Sequence, residues 1–279
     1  MVIFNHKSKN YATGASKPTP NLPLPIPNIP KSILHKIQQV PGFRHAPFFP
    51  TLHPKQKAMH QISYPSILYF GTPVVLVSTT NADDSHNIAP ISSVFWLGWR
   101  CMIGISAFSK TTENLLRTGE CVLNLPSVNE AGAVNRLALT TGSNPVPPGK
   151  QQKGYRYEPN KFAISGLTPL SSDIVKPARA KQCPIHLESL VMTTHPLSEE
   201  DPQQRGKIIT FELKIVRVHL DEQILMDGKT DHIDPDKWRP LIMSFQQFYG
   251  LGPQVHTSTL AQIPEELYQT ADREHATRA

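Results

Sequence analysis

Residues 208–220, Ile-Ile-Thr-Phe-Glu-Leu-Lys-Ile-Val-Arg-Val-His-Leu, constrain this chain more than any other stretch. Ile209, Phe211, Leu213 and Ile215 alternate with Thr210, Glu212 and Lys214, the period of a strand with one face buried. Then the parity changes, and Val216, Val218 and Leu220 become the apolar positions against Arg217 and His219. A one-residue slip in phase moves the apolar set to the opposite face, which predicts a β-bulge inside one long strand. Bulged strands bend, and bent strands build curved sheets and barrels rather than flat layers.

Residues 66–126 supply the partners for such a strand. Residues 73–80 are almost continuously apolar and β-branched, as in a strand covered on both faces. Asn-Ala-Asp-Asp-Ser-His over 81–86 is a turn signal, so residues 87–98 read as the return strand of a hairpin. Residues 100–107 and 121–125 are two more strands, separated by a helix that starts near Ser109.

Two clusters here carry chemistry. In the first, Asn87, Ala89, Pro90, Ile91, Ser92 and Ser93 put small and polar residues where a strand would carry bulky ones. Pro90 cannot donate to a ladder, which places it at an edge or an irregular point. Small residues there let a flat ligand lie against the backbone. In the second, Ser109, Lys110, Thr111 and Thr112, followed by Glu113 and Asn114, stand directly before the apolar pair Leu115 and Leu116. A helix N-terminus offers unpaired N–H groups and a partial positive charge, to which Lys110 adds a full one. Taken singly, each cluster also fits an ordinary role: Ser109 or Thr111 as a helix cap, Asn87 and the serines as strand-end residues.

The series GTPVVLVSTT, NIAPISS and SKTTENLLRTGECVLNLP resembles the flavin reductase-like family, the FMN-binding split barrels, over residues 64–252. The resemblance implies an antiparallel split β-barrel, mainly β with a few peripheral helices, assembled as a homodimer with FMN at or near the subunit interface. It implies that residues from Asn87 to Ser93 line the isoalloxazine and ribityl chain. Ser109, Lys110 and Thr112 match the family's Ser-(Arg/Lys)-x-Thr phosphate loop. Tyr249, in the closing segment 232–252, is expected to pack on the flavin or beside it, or else in the core. One departure is that the family's hairpin turn usually holds Gly, where this chain has Asp83-Asp84-Ser85-His86. The implied activity is electron transfer from NAD(P)H to FMN or a downstream acceptor, such as a monooxygenase partner, with no obligatory side-chain acid or base. The alternatives are a flavoredoxin-like electron carrier and a non-catalytic FMN-binding protein.

The remaining sequence sets boundaries. Lys and Arg exceed Asp and Glu by six, which suits anionic cofactors, and no Lys/Arg-rich run supports nucleic-acid binding. Three cysteines without a C-x-x-C pair and twelve scattered histidines predict no metal site and a reducing, cytoplasmic setting. No secretory signal pattern or membrane-spanning apolar run is present. Residues 1–63 form a Pro-rich arm with apolar anchors and a short helix from Ser32; residues 253–279 form a partly helical tail. Ser127 and Glu130 make a capping box for a helix running to about Leu139 and ended by Gly142. The polar loop 141–161 brings Lys150, Lys153 and Arg156 as candidates for pyridine-nucleotide phosphates. Residues 182–191 read as a strand with Ile185 and Leu187 on one side and His186 and Glu188 on the other.

Overall fold

The computed structural model describes residues 60–278, so the expectations for the Pro-rich arm, including its short helix, lie outside the described residues. The strands are β1 (Phe70–Pro73), β2 (Val75–Thr80), β3 (His86–Ile91), β4 (Val94–Leu97), β5 (Arg100–Ser106), β6 (Glu120–Leu125), β7 (Thr140–Thr141), β8 (Arg156–Tyr157), β9 (Pro169–Leu170), β10 (Arg179–Ala180), β11 (Ile185–Pro196), β12 (Ile208–Leu220), β13 (Ile242–Ser244) and β14 (Gln247–Tyr249). The helices are α1 (Lys110–Thr118), α2 (Ala131–Leu137), α3 (Pro148–Gln151), α4 (Lys161–Ser165) and α5 (Ala271–Arg278).

The phase slip in residues 208–220 is a bulge. Against β11, Arg217 faces Glu188 and Ile215 faces Ser189, which leaves Val216 as the extra residue. Phe211, Leu213 and Ile215 are buried before it, and the strict alternation of burial ends there. β11 runs on to Pro196, beyond the strand read from the sequence. Its last residues are exposed and pair with the start of β12, so no burial pattern marks them in the sequence.

Seven antiparallel strands form the main sheet in the order β3-β2-β6-β11-β12-β5-β4. Its two edge strands, β3 and β4, are consecutive in the chain and joined only by Ser92 and Ser93. Two residues span about 7 Å, so the sheet has to curl until its edges nearly meet. The result is a split barrel with its seam at these serines, where the Gly104 N–H donates to Ser93 O at 2.9 Å. This corrects the reading of residues 87–98 as one return strand: the chain leaves one edge at Ile91 and enters the other at Val94. Pro90 pairs with Leu76 on one side only, so its missing N–H leaves no ladder bond unmade.

Both faces of β2 are buried, as its composition predicts. Val75 and Val77 enter the barrel interior with Ile103, Leu123, Phe211 and Leu213. Leu76 faces outward, where α2, α4 and the 178–183 segment cover it with Leu137, Phe162, Ala178 and Cys183. The hairpin turn works without glycine: Asp84 takes a φ of 65°, and the Asp83 carboxylate accepts from the Ser85 N–H at 3.1 Å. Asn87 therefore pairs with Thr79. The capping box at Ser127 forms, but α2 stops at Leu137 and Gly142 does not end it. The 141–161 loop contains α3 and a parallel β7–β8 pair. No helix among the described residues is long and apolar enough to cross a membrane.

Candidate functional site

A cleft of about 660 Å³ opens between the β3 edge, the barrel seam, the start of α1 and the segment from α2 to Gly142. Asn87, Ala89, Pro90, Ile91, Ser92, Ser93, Ser109, Lys110 and Thr111 all line it. The seam explains why residues so far apart in role meet here. It brings the β3 edge beside the end of β5, and the chain turns from β5 into α1 at once.

Two sequence-predicted residues stand elsewhere. Thr112 is buried beneath the helix start, where its hydroxyl donates to Ser106 O at 2.7 Å and its N–H donates to Ser109 Oγ at 3.0 Å. It fixes the turn into α1 rather than facing the cleft. Tyr249 is exposed, and its neighbour Phe248 lines the cleft instead. Successive residues of a strand point to opposite sides, so one position of register decides which aromatic faces in.

The polar end of the cleft is built around Asn87. Its Nδ2 donates to Thr79 Oγ1 at 3.3 Å and to Thr111 Oγ1 at 3.2 Å. Its Oδ1 is buried without a partner. Gly142 closes over this atom, and a Cβ there would lie 2.9 Å from Asn87 Oδ1 and 3.1 Å from Lys110 Cγ. The glycine is thus needed for close approach, not for helix termination. Lys110 Nζ is 2.8 Å from Glu113, so part of its charge is already compensated.

Two further lysines enter from the 141–161 region. Lys150 Nζ donates to Thr141 Oγ1 at 3.2 Å and lies 5.7 Å from the Tyr155 ring centroid; burial lowers its pKa. Lys161, absent from the sequence reading, is 2% exposed, lines the cleft and makes no hydrogen bond or ion pair among the described residues. Burial pushes its ammonium down to about 7, with the Lys150 charge adding to the effect and Glu158 opposing it. Lys153 and Arg156, named with Lys150 from the sequence, are exposed and outside the cleft. Charge pattern alone could not separate these cations, because all of them sit in one polar loop.

A second polar cluster lies away from the cleft. The Glu188 carboxylate, fully buried, accepts from the N–H groups of Asp173, Ile174 and Val175 at 2.8, 2.6 and 3.1 Å. His219 Nε2 lies 2.7 Å from it, and Asp173 Oδ2 is 4.0 Å from the same nitrogen. Burial pushes the Glu188 pKa up, but these donors outweigh burial and hold it below the ordinary value. With its lone pairs taken, the carboxylate works as the anchor of the 173–175 turn. Cys101, Cys121 and Cys183 are buried free thiols whose pKa values burial raises, which makes them core residues.

Residues 67–252 match the family model described as the flavin reductase like domain. The chain is 37% identical over 191 residues, 68% of its length and 89% of the relative's, to uncharacterized protein YdfE of Bacillus subtilis (strain 168). Among solved structures, flavoredoxin of Desulfovibrio vulgaris (Miyazaki F) aligns with a TM-score of 0.58 at 20% identity, covering 74% of this chain and all (100%) of that one. Nitrilotriacetate monooxygenase component B from Bacillus cereus aligns at 0.55 and 20% identity, covering 69% and 89%. An FMN-binding domain of a flavin reductases-like enzyme from Shewanella baltica OS155 aligns at 0.50 and 18% identity, covering 67% and 90%. These likenesses support the split-barrel fold. On the family match over two thirds of its length, the chain belongs to the flavin reductase-like family.

Proposed function

We propose that the cleft binds FMN and that the protein passes electrons from NAD(P)H through it to an acceptor. The observation that carries this reading is the cleft's polarity. One wall is a strand edge of small residues, from Ala89 to Ser93, and the other end gathers a helix N-terminus with Lys110, Lys150 and Lys161. A flat ring with an anionic tail has that distribution of surface. The residues fit the cofactor on independent grounds. The orphaned Asn87 Oδ1 calls for a donor such as a ribityl hydroxyl, and Lys161, nearly buried in the cleft lining, brings a cation suited to an anion.

Bound flavin supplies the hydride-accepting chemistry, which the protein orients and tunes. The β3 edge leaves Ala89, Pro90 and Ile91 free to pack along a ring, because no strand among the described residues pairs on that side. Ser92 and Ser93 at the seam offer hydroxyl and backbone donors toward ring heteroatoms. Ser109 and Thr112 hold the first turn of α1 so that the N–H groups of Lys110 and Thr111 stay unpaired in the helix.

A homodimer in the cytoplasm completes the proposal. Phe95 and Leu97 of β4 and Phe108 before α1 are exposed by 54, 72 and 60%, an apolar surface suited to a second copy. The buried, unpaired thiols accord with a reducing compartment. A carrier that takes electrons from a protein partner is the second reading; Lys153 and Arg156 are exposed outside the cleft, where only a nucleotide bound at the surface would meet them. Spectra of the purified protein with FMN, recorded anaerobically before and after adding NADH or NADPH, test both. Bleaching of the bound flavin by either nucleotide is expected. Bound flavin that neither nucleotide bleaches overturns the reductase reading in favour of the carrier.

A further inference from the structure

We propose that Lys161, rather than Lys110 of the Ser-Lys-Thr-Thr segment, is the principal counter-charge for the phosphate of the bound flavin. The inference rests on the FMN reading above and assigns a residue that the family motif does not contain. Of the three lysines that line the cleft, Lys110 is engaged with Glu113 at 2.8 Å, and Lys150 donates to Thr141 at 3.2 Å. Lys161 alone has neither a hydrogen bond nor an ion pair among the described residues, although its side chain is 2% exposed. An ammonium so nearly buried, lacking a partner, has lost most of its hydration, and an anion entering the cleft offsets that cost. Lys110 would have to give up Glu113 to do the same.

The corner around it suits a phosphate. α4 packs on β3 through the Phe162 ring against His86, which places Lys161 in the lining of the same cleft as Asn87. Gly142 lies against Asn87 and Lys110, and the adjoining Thr141 holds Lys150, so the same corner takes in the start of α1. The helix supplies N–H donors from Lys110 and Thr111, Thr111 supplies a hydroxyl, and Lys161 supplies the charge. The charged groups acting on Lys161 are Lys150 and Glu158; Lys110 and Tyr155 line the same cleft, and His86 lies behind Phe162.

The state of Lys161 gives the test its signature. In the free protein its ammonium titrates at about 7, so above that pH it is mostly neutral and has to take up a proton when the phosphate arrives. FMN affinity should therefore fall as pH rises from 7.5 to 9, by up to about tenfold per unit. Phosphate monoesters titrate near 6 and contribute no slope in this window. The experiment measures FMN and riboflavin binding by fluorescence quenching for the wild type, Lys161→Met and Lys110→Ala. Lys161→Met is expected to weaken FMN roughly tenfold to hundredfold and to abolish the pH slope. Riboflavin binding should change less than about threefold in the same variant, because it carries no phosphate. Lys110→Ala should lose less FMN affinity and keep the slope. Thermal unfolding of Lys161→Met without flavin should match or exceed the wild type, because a desolvated amine has been replaced by an apolar side chain. Equal losses for FMN and riboflavin, no loss for either, or a slope that survives in Lys161→Met overturns the assignment while leaving the flavin reading intact. Failure of the wild type to bind either flavin overturns both.

Discussion

Replacing Glu188 with glutamine leaves the shape of the side chain and removes its charge. The carboxylate now serves four donors: three consecutive backbone N–H groups and His219. An amide keeps one acceptor oxygen and turns its NH₂ toward two of those donors, which are then unpaired in a fully buried site. Hydrogen bonds to a charged group contribute about 1.5–3 kcal/mol each, so losing two implies a destabilisation of about 3–5 kcal/mol. With a urea m-value of about 2–3 kcal/mol/M, the unfolding midpoint should fall by roughly 1–2.5 M. The pH dependence follows from the sign of the shift. The folded-state pKa of Glu188 is held below 4.5, so its contribution is complete above the unfolded value. It is lost as pH falls through the folded value. Urea unfolding followed by circular dichroism should therefore give a constant gap between wild type and variant from pH 7 to 5 and a narrowing gap below about 4. A difference under about 1 kcal/mol at pH 7, or a gap that widens on acidification, would refute the anchoring role.

Two other substitutions probe the cleft. Gly142→Ala puts a methyl 2.9 Å from the buried Asn87 oxygen, and flavin affinity measured by fluorescence should fall by about tenfold or more. Its stability should change by no more than about 2 kcal/mol, because overpacking is partly offset by a stiffer unfolded chain. Unaltered flavin binding would show that Asn87 is not part of the site. The β13–β14 hairpin turns through Phe245 and Gln246 at φ of 45° and 66°, the left-handed region. Gln246→Gly should stabilise the protein by about 1 kcal/mol in thermal or urea unfolding; a loss of stability would mean that the Gln246 side chain is held in place by the cleft it lines.

The sequence by itself determined whatever local periodicity or local chemistry can encode. The slip between Ile215 and Val216 announced the bulge, because side chains alternate strictly and a change of phase has no other cheap origin. The Ser-Lys-Thr-Thr start of α1 and the capping box at Ser127 were legible for the same reason: a helix end is satisfied by its own neighbours. The split-barrel class and the family followed from the order of these pieces. Tertiary structure decided what depends on distant segments meeting. Residues 87–98 look like one strand, but strand pairing on both far edges divides them at Ser92–Ser93 and makes the seam. Phe248 rather than Tyr249 faces the cleft, a choice set by the pairing of β14 with β13. Lys161 looked like one more cation in a polar loop. Packing of α4 on β3 buries it and leaves it unpaired, and burial is a property of what surrounds a residue, which its own sequence neighbourhood does not fix.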